Sequence, residues 1–570
     1  MGNVDPVVSF RNFTFQYLAQ AEPTLYDISL DIHPGEKILI VGPSGSGKST
    51  LGHCINGLIP FAYKGKSTGS LMVAGMEVAR QNIFKLSKHV GTVLQDTDGQ
   101  FVGLTAGEDI AFALENDCVS AHEMRERVQK VARMVDMERF LTNSPFELSG
   151  GQKQRTSLAG VMIDDVEILL FDEPLANLDP ATGKTAIEII DDIHKATGKT
   201  IVIIEHRLED VLHRHVDRIV VVNDGRIVAD MPADTLLCSD VLKENGIREP
   251  LYVTALKYAG VTLTPEMRPG HIETLDVSSC EQALKTWMRE AERMAPCEDG
   301  ETLLSMEKIG FSYDPGKPVL KDVSFSVRRG EMLSIIGRNG AGKSTLTKLL
   351  CGFEKPDSGA IFYEGENIEG QTIRERAEYI GLVMQNPNQM ISETMIAKEV
   401  GLGLKLRGAD EATIKERVKQ ALDICGLSPF IDWPISALSY GQKKRVTVAA
   451  MLALDPRILL LDEPTAGQDY RHYTEIMRFL LDLNQKGVTV VLITHDMHLM
   501  LEYTPRAVVL SDGELIADAP ASQILTDDVV IERANLRETS LYTLARRSGI
   551  EDAAAFVQCF IDHERWVRGA

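Results

Sequence analysis

Continuous apolar runs of strand length recur along the chain in two matching series. EKILIVG, ILLFDE, TIVIIEH and RIVVV fall in the first half; EMLSIIG, ILLLDE, VTVVLITH and AVVLSD fall in the second. Runs that are apolar at every position, without alternation, suit strands buried on both faces. That pattern predicts a mostly parallel sheet covered by helices, and so an α/β fold. EQALKTWMREAERM, around Trp287, and the stretch from TSLYTLARR to the C-terminus read as helices.

The two series belong to an internal repeat. GPSGSGKST begins at Gly42 and GRNGAGKST at Gly337; LSGGQKQR begins at Leu148 and LSYGQKKR at Leu438. Lys343 follows Lys48 by 295 positions, Ser439 follows Ser149 and Asp462 follows Asp172 by 290, and His495 follows His206 by 289. A near-constant offset across four motifs means a duplicated domain, assigned here to residues 1–235 and 301–535. Residues 236–300, with the turn-rich LTPEMRPGH, are expected to form a folded linker, and residues 536–570 a helical extension packed on the second domain.

Composition narrows the class. A chain of 570 residues exceeds one hydrophobic core. Its net charge of -22 weighs against a protein that coats nucleic acid. The eight cysteines include no C-x-x-C pair, as expected of reduced thiols in a cytosolic protein. MGNVDPVVSF does not read as a signal peptide, and the apolar runs fall short of the ~20 residues that span a bilayer. Any role at a membrane is therefore expected at its cytosolic side, through partners.

The candidate chemistry is phosphate chemistry. Gly42, Pro43, Ser44, Gly45, Ser46, Gly47, Lys48, Ser49 and Thr50 follow a predicted strand and fit G-x-x-x-x-G-K-[ST]. Gly337, Arg338, Asn339, Gly340, Ala341, Gly342, Lys343, Ser344 and Thr345 fit it again. Glycines let successive N–H groups turn toward phosphate oxygens, and the helix that follows adds its N-terminal dipole. Lys48 and Lys343 are expected on the β- and γ-phosphates of ATP, and the Ser49 and Ser344 hydroxyls on Mg²⁺. Asp172 and Asp462 each close an apolar strand, where a carboxylate suits Mg²⁺ through water. Glu173 and Glu463 follow as candidates to polarise the attacking water. His206 and His495 end a later strand in both copies and are expected to contact the γ-phosphate.

Together these motifs resemble the nucleotide-binding domains of the ATP-binding cassette (ABC) superfamily over almost all of both repeats. The discriminating element is LSGGQ at 148–152, with LSYGQ at 438–442. The resemblance implies that each domain adds an antiparallel β subdomain and a helical subdomain to its sheet core, and that the cassettes pair within the chain. It further implies that Ser439, Gly441 and Gln442 complete the site of Lys48, Glu173 and His206. Ser149, Gly150, Gly151 and Gln152 would complete that of Lys343, Glu463 and His495. It also implies that Asn177, Leu178 and Asp179, and Gly467, Gln468 and Asp469, form the loop communicating between sites and that Tyr17 and Tyr313 stack on adenine. Gln95 and Gln385 would sense Mg²⁺ and transport. Tyr440 stands where the signature usually has its first glycine, so the two sites are expected to be unequal although both hydrolyse ATP.

Paired glutamines at 95 and 100, and at 385 and 389, with IEHRLEDV at 204–211, resemble the ATPases of energy-coupling factor (ECF) importers of vitamins and metals. The fused form resembles those of the thiamine, hydroxymethylpyrimidine or cobalt type. That resemblance implies an integral membrane scaffold and a substrate-binding membrane subunit as partners, a peripheral position on the cytoplasmic face of the membrane, and no nucleic-acid partner. The alternatives are a double-cassette protein acting on ribosomes and the fused ATPase of a conventional sugar or peptide importer. The first calls for a long basic connector, whereas ETLDVSSCEQALKTWMREAERMAPCEDGE is acidic in balance.

Overall fold

The structure is a computed structural model, described here for residues 5–94, 98–175, 178–291, 300–465, 468–536 and 538–568. The chain divides into two compact units, the first built mainly on Met1–Leu284 and the second on Lys285–Gln468 and His472–Ala570.

In the first unit the buried apolar runs become a six-stranded sheet. Its order is Arg226–Met231, Arg218–Asn223, Lys37–Val41, Thr200–Ile204, Ile168–Asp172, Val90–Val93. All neighbours are parallel except the first two, which form an antiparallel hairpin. Lys37–Val41 is buried along its whole length. Lys37 lies inside because its ammonium pairs with the buried Asp191 carboxylate, which Lys195 also holds at 2.6 Å. A four-stranded antiparallel sheet, ordered Leu25–Ile32, Val8–Tyr17, Gly65–Val73, Met76–Glu77, packs over it. One apolar cluster joins the two, with Phe10, Phe15 and Leu25 against Ile38, Ile40, Leu51 and Val202. Helices Ala106–Asn116, Ala121–Met134 and Gly150–Met162 form the helical part, the first opened by a reciprocal Thr105–Glu108 cap.

The second unit repeats this plan. Its six-stranded sheet runs Ile380–Val383, Ile458–Asp462, Thr489–Thr494, Met332–Ile336, Arg506–Ser511, Glu514–Ala519. Its antiparallel sheet runs Lys317–Arg328, Thr302–Asp314, Ser358–Tyr363, Glu366–Asn367. Helices Ile396–Leu406, Glu411–Ile424 and Tyr440–Leu452 share an apolar core of their own around Val400, Leu422 and Val446.

The repeat continues past residues 235 and 535. After the first hairpin come helices Ala233–Leu236, Val241–Glu244 and Leu251–Tyr258; after the second come Ala521–Ile524, Asp528–Arg533 and Ser540–Arg547. Buried Tyr252, Ala255 and Leu256 recur as Leu541, Leu544 and Ala545, all 289 positions on. Residues 236–284 are fastened to the rest of the first unit by hydrogen bonds, from the Leu251 N–H to Glu209 Oε2 at 2.9 Å and between His271 Nε2 and the His213 carbonyl at 2.8 Å. Within the second unit, Trp287 meets Phe556 and His563 of the C-terminal helix Ala553–Arg568 edge to face, at 5.9 and 5.6 Å.

The sheets set where the functional groups emerge. Asp172 pairs with Ile204, and Asp462 with Ile493, across adjacent parallel strands. The loops that follow these strands therefore leave each sheet at one level, at the C-terminal edge where open α/β sheets bind ligands.

Candidate functional site

In the first unit the phosphate loop leaves Lys37–Val41 and turns into helix Lys48–Ile55. Gly47 caps that helix at φ 101°, and a Cβ there would lie 2.8 Å from Leu25 Cδ2 and 3.1 Å from the Thr24 carbonyl. Gly342 does the same in the second unit at φ 105°, with Leu320 Cδ2 2.6 Å from the position of a Cβ. Only glycine meets both demands. The lysines lie buried under their own loops: Lys48 Nζ donates to the Gly42 and Pro43 carbonyls, both at 2.8 Å, and Lys343 Nζ to those of Gly337 and Arg338, at 2.6 and 3.0 Å. Burial pulls the Lys48 pKa below the usual lysine range, opposed first by the charge of Glu173. Within the loops, the Ser46 hydroxyl is buried with no hydrogen-bond partner among the described residues, and Arg338 pairs with Asp512.

The carboxylates gather where the loops predict. Ser49 Oγ donates to Asp172 Oδ1 at 3.3 Å, giving a hydroxyl and a carboxylate side by side. Burial raises the Asp172 pKa while Ser49 opposes it; burial and the neighbouring Glu463 raise that of Asp462. Glu173 and Glu463 both adopt left-handed backbone, φ 50° and 46°, rare for non-glycine residues and frequent at functional sites. Burial also pushes the Glu173 carboxyl up, with His206 the foremost group holding it down.

The histidines reach this level too, but by different contacts. In the second unit Glu463 Oε1 meets His495 Nδ1 at 2.6 Å and accepts the His495 N–H at 3.1 Å, while Oε2 accepts the Thr494 hydroxyl at 3.0 Å. In the first, His206 Nδ1 lies 3.9 Å from Glu173 and 3.2 Å from Glu205. Glu205 stands where the second copy has Thr494, and its side chain is fully buried. A second exchange lies beneath the same loops. Gln154 donates to the Pro174 carbonyl, whereas the corresponding Lys444, buried, donates to the Glu463 carbonyl at 2.7 Å. Neither Glu205 nor Lys444 was singled out in the sequence. The signal was present as mismatches between repeats, IIEH against LITH and GQKQR against GQKKR.

The signature residues open helices. Ser149 caps Gly150–Met162 and Ser439 caps Tyr440–Leu452. In each, the Gln152 or Gln442 side chain closes a reciprocal cap on the serine N–H, at 2.8 and 3.0 Å. These helices therefore start with N–H groups suited to an anion. Among the described residues a Cβ on Gly150 would have Leu178 Cδ2 as its neighbour, at 3.7 Å, whereas one on Gly151 would lie 2.6 Å from Thr182 Cγ2. The backbone at Gly150 thus admits a side chain, consistent with tyrosine at position 440; Gly441 likewise has its nearest atom at 3.7 Å. Asp179 caps helix Pro180–Thr197, and buried Asp469 directly precedes helix Tyr470–Gln485.

The tyrosines sit over the phosphate-loop helices: Tyr17 Oη is 3.1 Å from Thr50 Oγ1, and Tyr313 Oη is 3.4 Å from Thr345 Oγ1. Their surroundings differ. Tyr17 meets Tyr63 edge to face, and His53 stacks on Tyr63 at 4.9 Å; Tyr313 has the Lys348 ammonium 5.2 Å from its ring centre. Ser344 and Gln385 are exposed, Gln385 just beyond strand Ile380–Val383. Gln95, Asn177 and Gly467 lie outside the described residues, as does the side chain of Tyr440.

Two phosphate loops, each with a buried lysine, paired acids and a histidine at the edge of a mostly parallel sheet, define a tandem nucleotide-hydrolysing protein. The chain belongs to the ABC transporter ATP-binding family: the profile of that family, described as "ABC transporter", matches residues 25–176 and 320–466. A protein of Clostridium perfringens, named "Putative ABC transporter ATP-binding protein", is 56% identical over 99% of this chain and 99% of its own. Proteins with the same designation from Photobacterium profundum and Enterococcus faecalis are 54% and 55% identical. They cover 98% and 99% of this chain and 99% of their own. A second profile, described as "ATP-binding cassette cobalt transporter", matches residues 239–311. A solved structure described as cbiO1 from Clostridium perfringens, part of the ABC transporter complex cbiONQ, is 33% identical. It covers 44% of this chain and 98% of that one, at a TM-score of 0.39. The chain is thus an ATPase with two ABC cassettes. Among the described residues no helix is long and apolar enough to cross a membrane.

Proposed function

We propose that this protein powers an ECF-type importer of a metal ion or vitamin by hydrolysing ATP at two composite sites, one on each phosphate loop. A nucleotide site does not name its own load. The observation that carries the transport reading is the match of residues 239–311 to the family described as "ATP-binding cassette cobalt transporter". That match covers the helical module following the first cassette's hairpin and favours a metal ion over thiamine or its pyrimidine precursor.

In this reading Lys48 and Lys343 exchange the loop carbonyls they now hold for β- and γ-phosphate oxygens. Ser49 beside Asp172, an all-oxygen pair 3.3 Å apart, fits Mg²⁺, as the Ser344 and Asp462 side chains would in the second cassette. When bound, the ion neutralises charge on the phosphates. Glu173 and Glu463 orient the attacking water and take its proton as its oxygen bonds to the γ-phosphorus and the bond to the β-phosphate oxygen breaks. His206 and His495 contact the γ-phosphate. The helix starts at Ser149 to Gln152 and at Ser439 to Gln442 offer N–H groups to phosphate oxygens, and the tyrosines at 17 and 313 take adenine.

The chain would work at the cytoplasmic face of the membrane, docked on an integral scaffold and a substrate-binding subunit. Exposed Val102 and Leu104 near Gln100, and Met384 near Gln389, are apolar side chains suited to receiving the scaffold's helices.

Uptake by cells lacking the gene tests this reading. Complementation with the natural sequence should restore accumulation of cobalt or nickel ions or of radiolabelled thiamine, and the Glu173→Gln/Glu463→Gln double variant should not. Equal accumulation of every substrate with both would overturn it.

A further inference from the structure

A buried carboxylate needs a reason, because taking an unpaired charge out of water is costly. Glu205 is fully buried at the end of strand Thr200–Ile204, between Ile204 and His206. Its partners account for it. Oε1 accepts the N–H groups of His206 at 2.8 Å and Arg207 at 3.2 Å, and lies 3.2 Å from His206 Nδ1. Oε2 accepts the N–H of Leu175 at 3.2 Å, two residues after Glu173. One side chain thus ties the histidine loop to the loop carrying the catalytic glutamate. The second cassette reaches a similar layout without it. There the position is Thr494, and Glu463 itself takes both the His495 ring and the threonine hydroxyl.

We propose that Glu205 is the positioning residue of the first cassette's ATP site: it holds His206 in the place where Glu463 holds His495, so that the imidazole is oriented by a carboxylate other than the catalytic one. The separations fit this division, with the histidine 3.9 Å from the glutamate in the first cassette and 2.6 Å in the second. With Nδ1 facing Glu205 at 3.2 Å, Nε2 reaches a phosphate oxygen as a donor in the imidazolium form, in which both ring nitrogens carry hydrogen. The two cassettes would then differ in how the γ-phosphate is recognised, independently of the Tyr440 substitution. This inference rests on the reading that His206 contacts the γ-phosphate.

The test uses the full chain with Lys343→Ala added, so that nucleotide binding reports on the first cassette. Fluorescent ATP and ADP analogues are titrated into the parent and into Glu205→Ala, Glu205→Gln and His206→Ala. A histidine that sees only the γ-phosphate affects ATP and not ADP. His206→Ala should therefore lower the preference for ATP over ADP by about tenfold, the scale of one hydrogen bond to a charged group. Glu205→Ala, which leaves no acceptor for the ring, should lower it to a similar extent, while Glu205→Gln, which can still accept from the imidazole, should keep most of it. A carboxylate that only braced the backbone would weaken both nucleotides together, or only the fold, and leave the ratio alone. If His206→Ala removes the preference while both Glu205 variants retain it in full, Glu205 does not position the ring. If His206→Ala leaves the ratio unchanged, the γ-phosphate reading fails and this inference fails with it.

Discussion

At the scale of single residues the cassettes differ beneath Glu173 and Glu463. Lys444 is buried on the signature helix and donates to the Glu463 carbonyl at 2.7 Å. Burial pulls its pKa down from 10.5 to about 8, against the opposing pull of Glu463 and Asp462. The linkage has a definite sign. Between pH 8 and 10.5 the unfolded chain binds the proton and the folded chain releases it, so this group makes stability rise with pH across that window. Below about pH 8 its contribution is flat and at its least favourable. A shift of this size corresponds to something on the order of 3 kcal/mol over the whole window. Lys444→Gln, the residue found at the matching position 154, should remove the effect. Subtracting the denaturant-unfolding stability of the variant from that of the natural sequence should give a difference that favours the natural sequence increasingly from about pH 8 to about pH 10. A difference independent of pH would mean that the lysine is not held in the way its burial indicates.

Among the elements, the phosphate-loop helices show what the sequence made legible and what it did not. Their starts were readable, because a glycine forced to positive φ followed by lysine and serine leaves few conformations for the chain. The sheet strands were readable for a related reason: a run apolar at every position fits little besides a strand covered on both faces. Where helix Lys343–Cys351 ends was not readable. Its last carbonyls are met by Arg376, which is fully buried and donates to Leu349 O at 2.6 Å, Leu350 O at 3.2 Å and Ile368 O at 2.8 Å. The partners lie 8 to 27 positions away, and an arginine in a polar stretch, TIRERAEY, reads as a solvated charge. The first cassette has Leu86 at the matching place and uses no such clasp. The extent of the repeat was hidden for another reason: the motifs that reveal it stop at the histidines, while the helices beyond share only their buried faces. Arg376→Ala should leave three carbonyls without that donor and open a void, costing about 2–4 kcal/mol. Chemical denaturation should show a lower midpoint for the second cassette; an unchanged midpoint would mean that the clasp contributes nothing.

For the whole molecule the question is whether one cassette or both turn over. Each retains the lysine, the Asp-Glu pair and the histidine, and Glu173 and Glu463 share the same left-handed backbone, at φ 50° and 46°. That conformation is disfavoured for glutamate, so its recurrence in both copies indicates the same constraint at each site. The surroundings are nevertheless unequal: a carboxylate against a threonine at 205 and 494, and an amide against an ammonium at 154 and 444. Removing a positioned base lowers its own site's rate by roughly 100- to 10,000-fold. With two working sites, Glu173→Gln and Glu463→Gln should each reduce steady-state ATP hydrolysis by different amounts, and only the double variant should fall to background. The inequality follows from Glu463 meeting His495 at 2.6 Å, whereas His206 stands 3.9 Å from Glu173. The second cassette must loosen its glutamate to use it, so Glu173→Gln is expected to cause the larger loss. Phosphate release measured for both single variants and the double decides the matter. A single variant with full activity beside another with none would leave only one catalytic site.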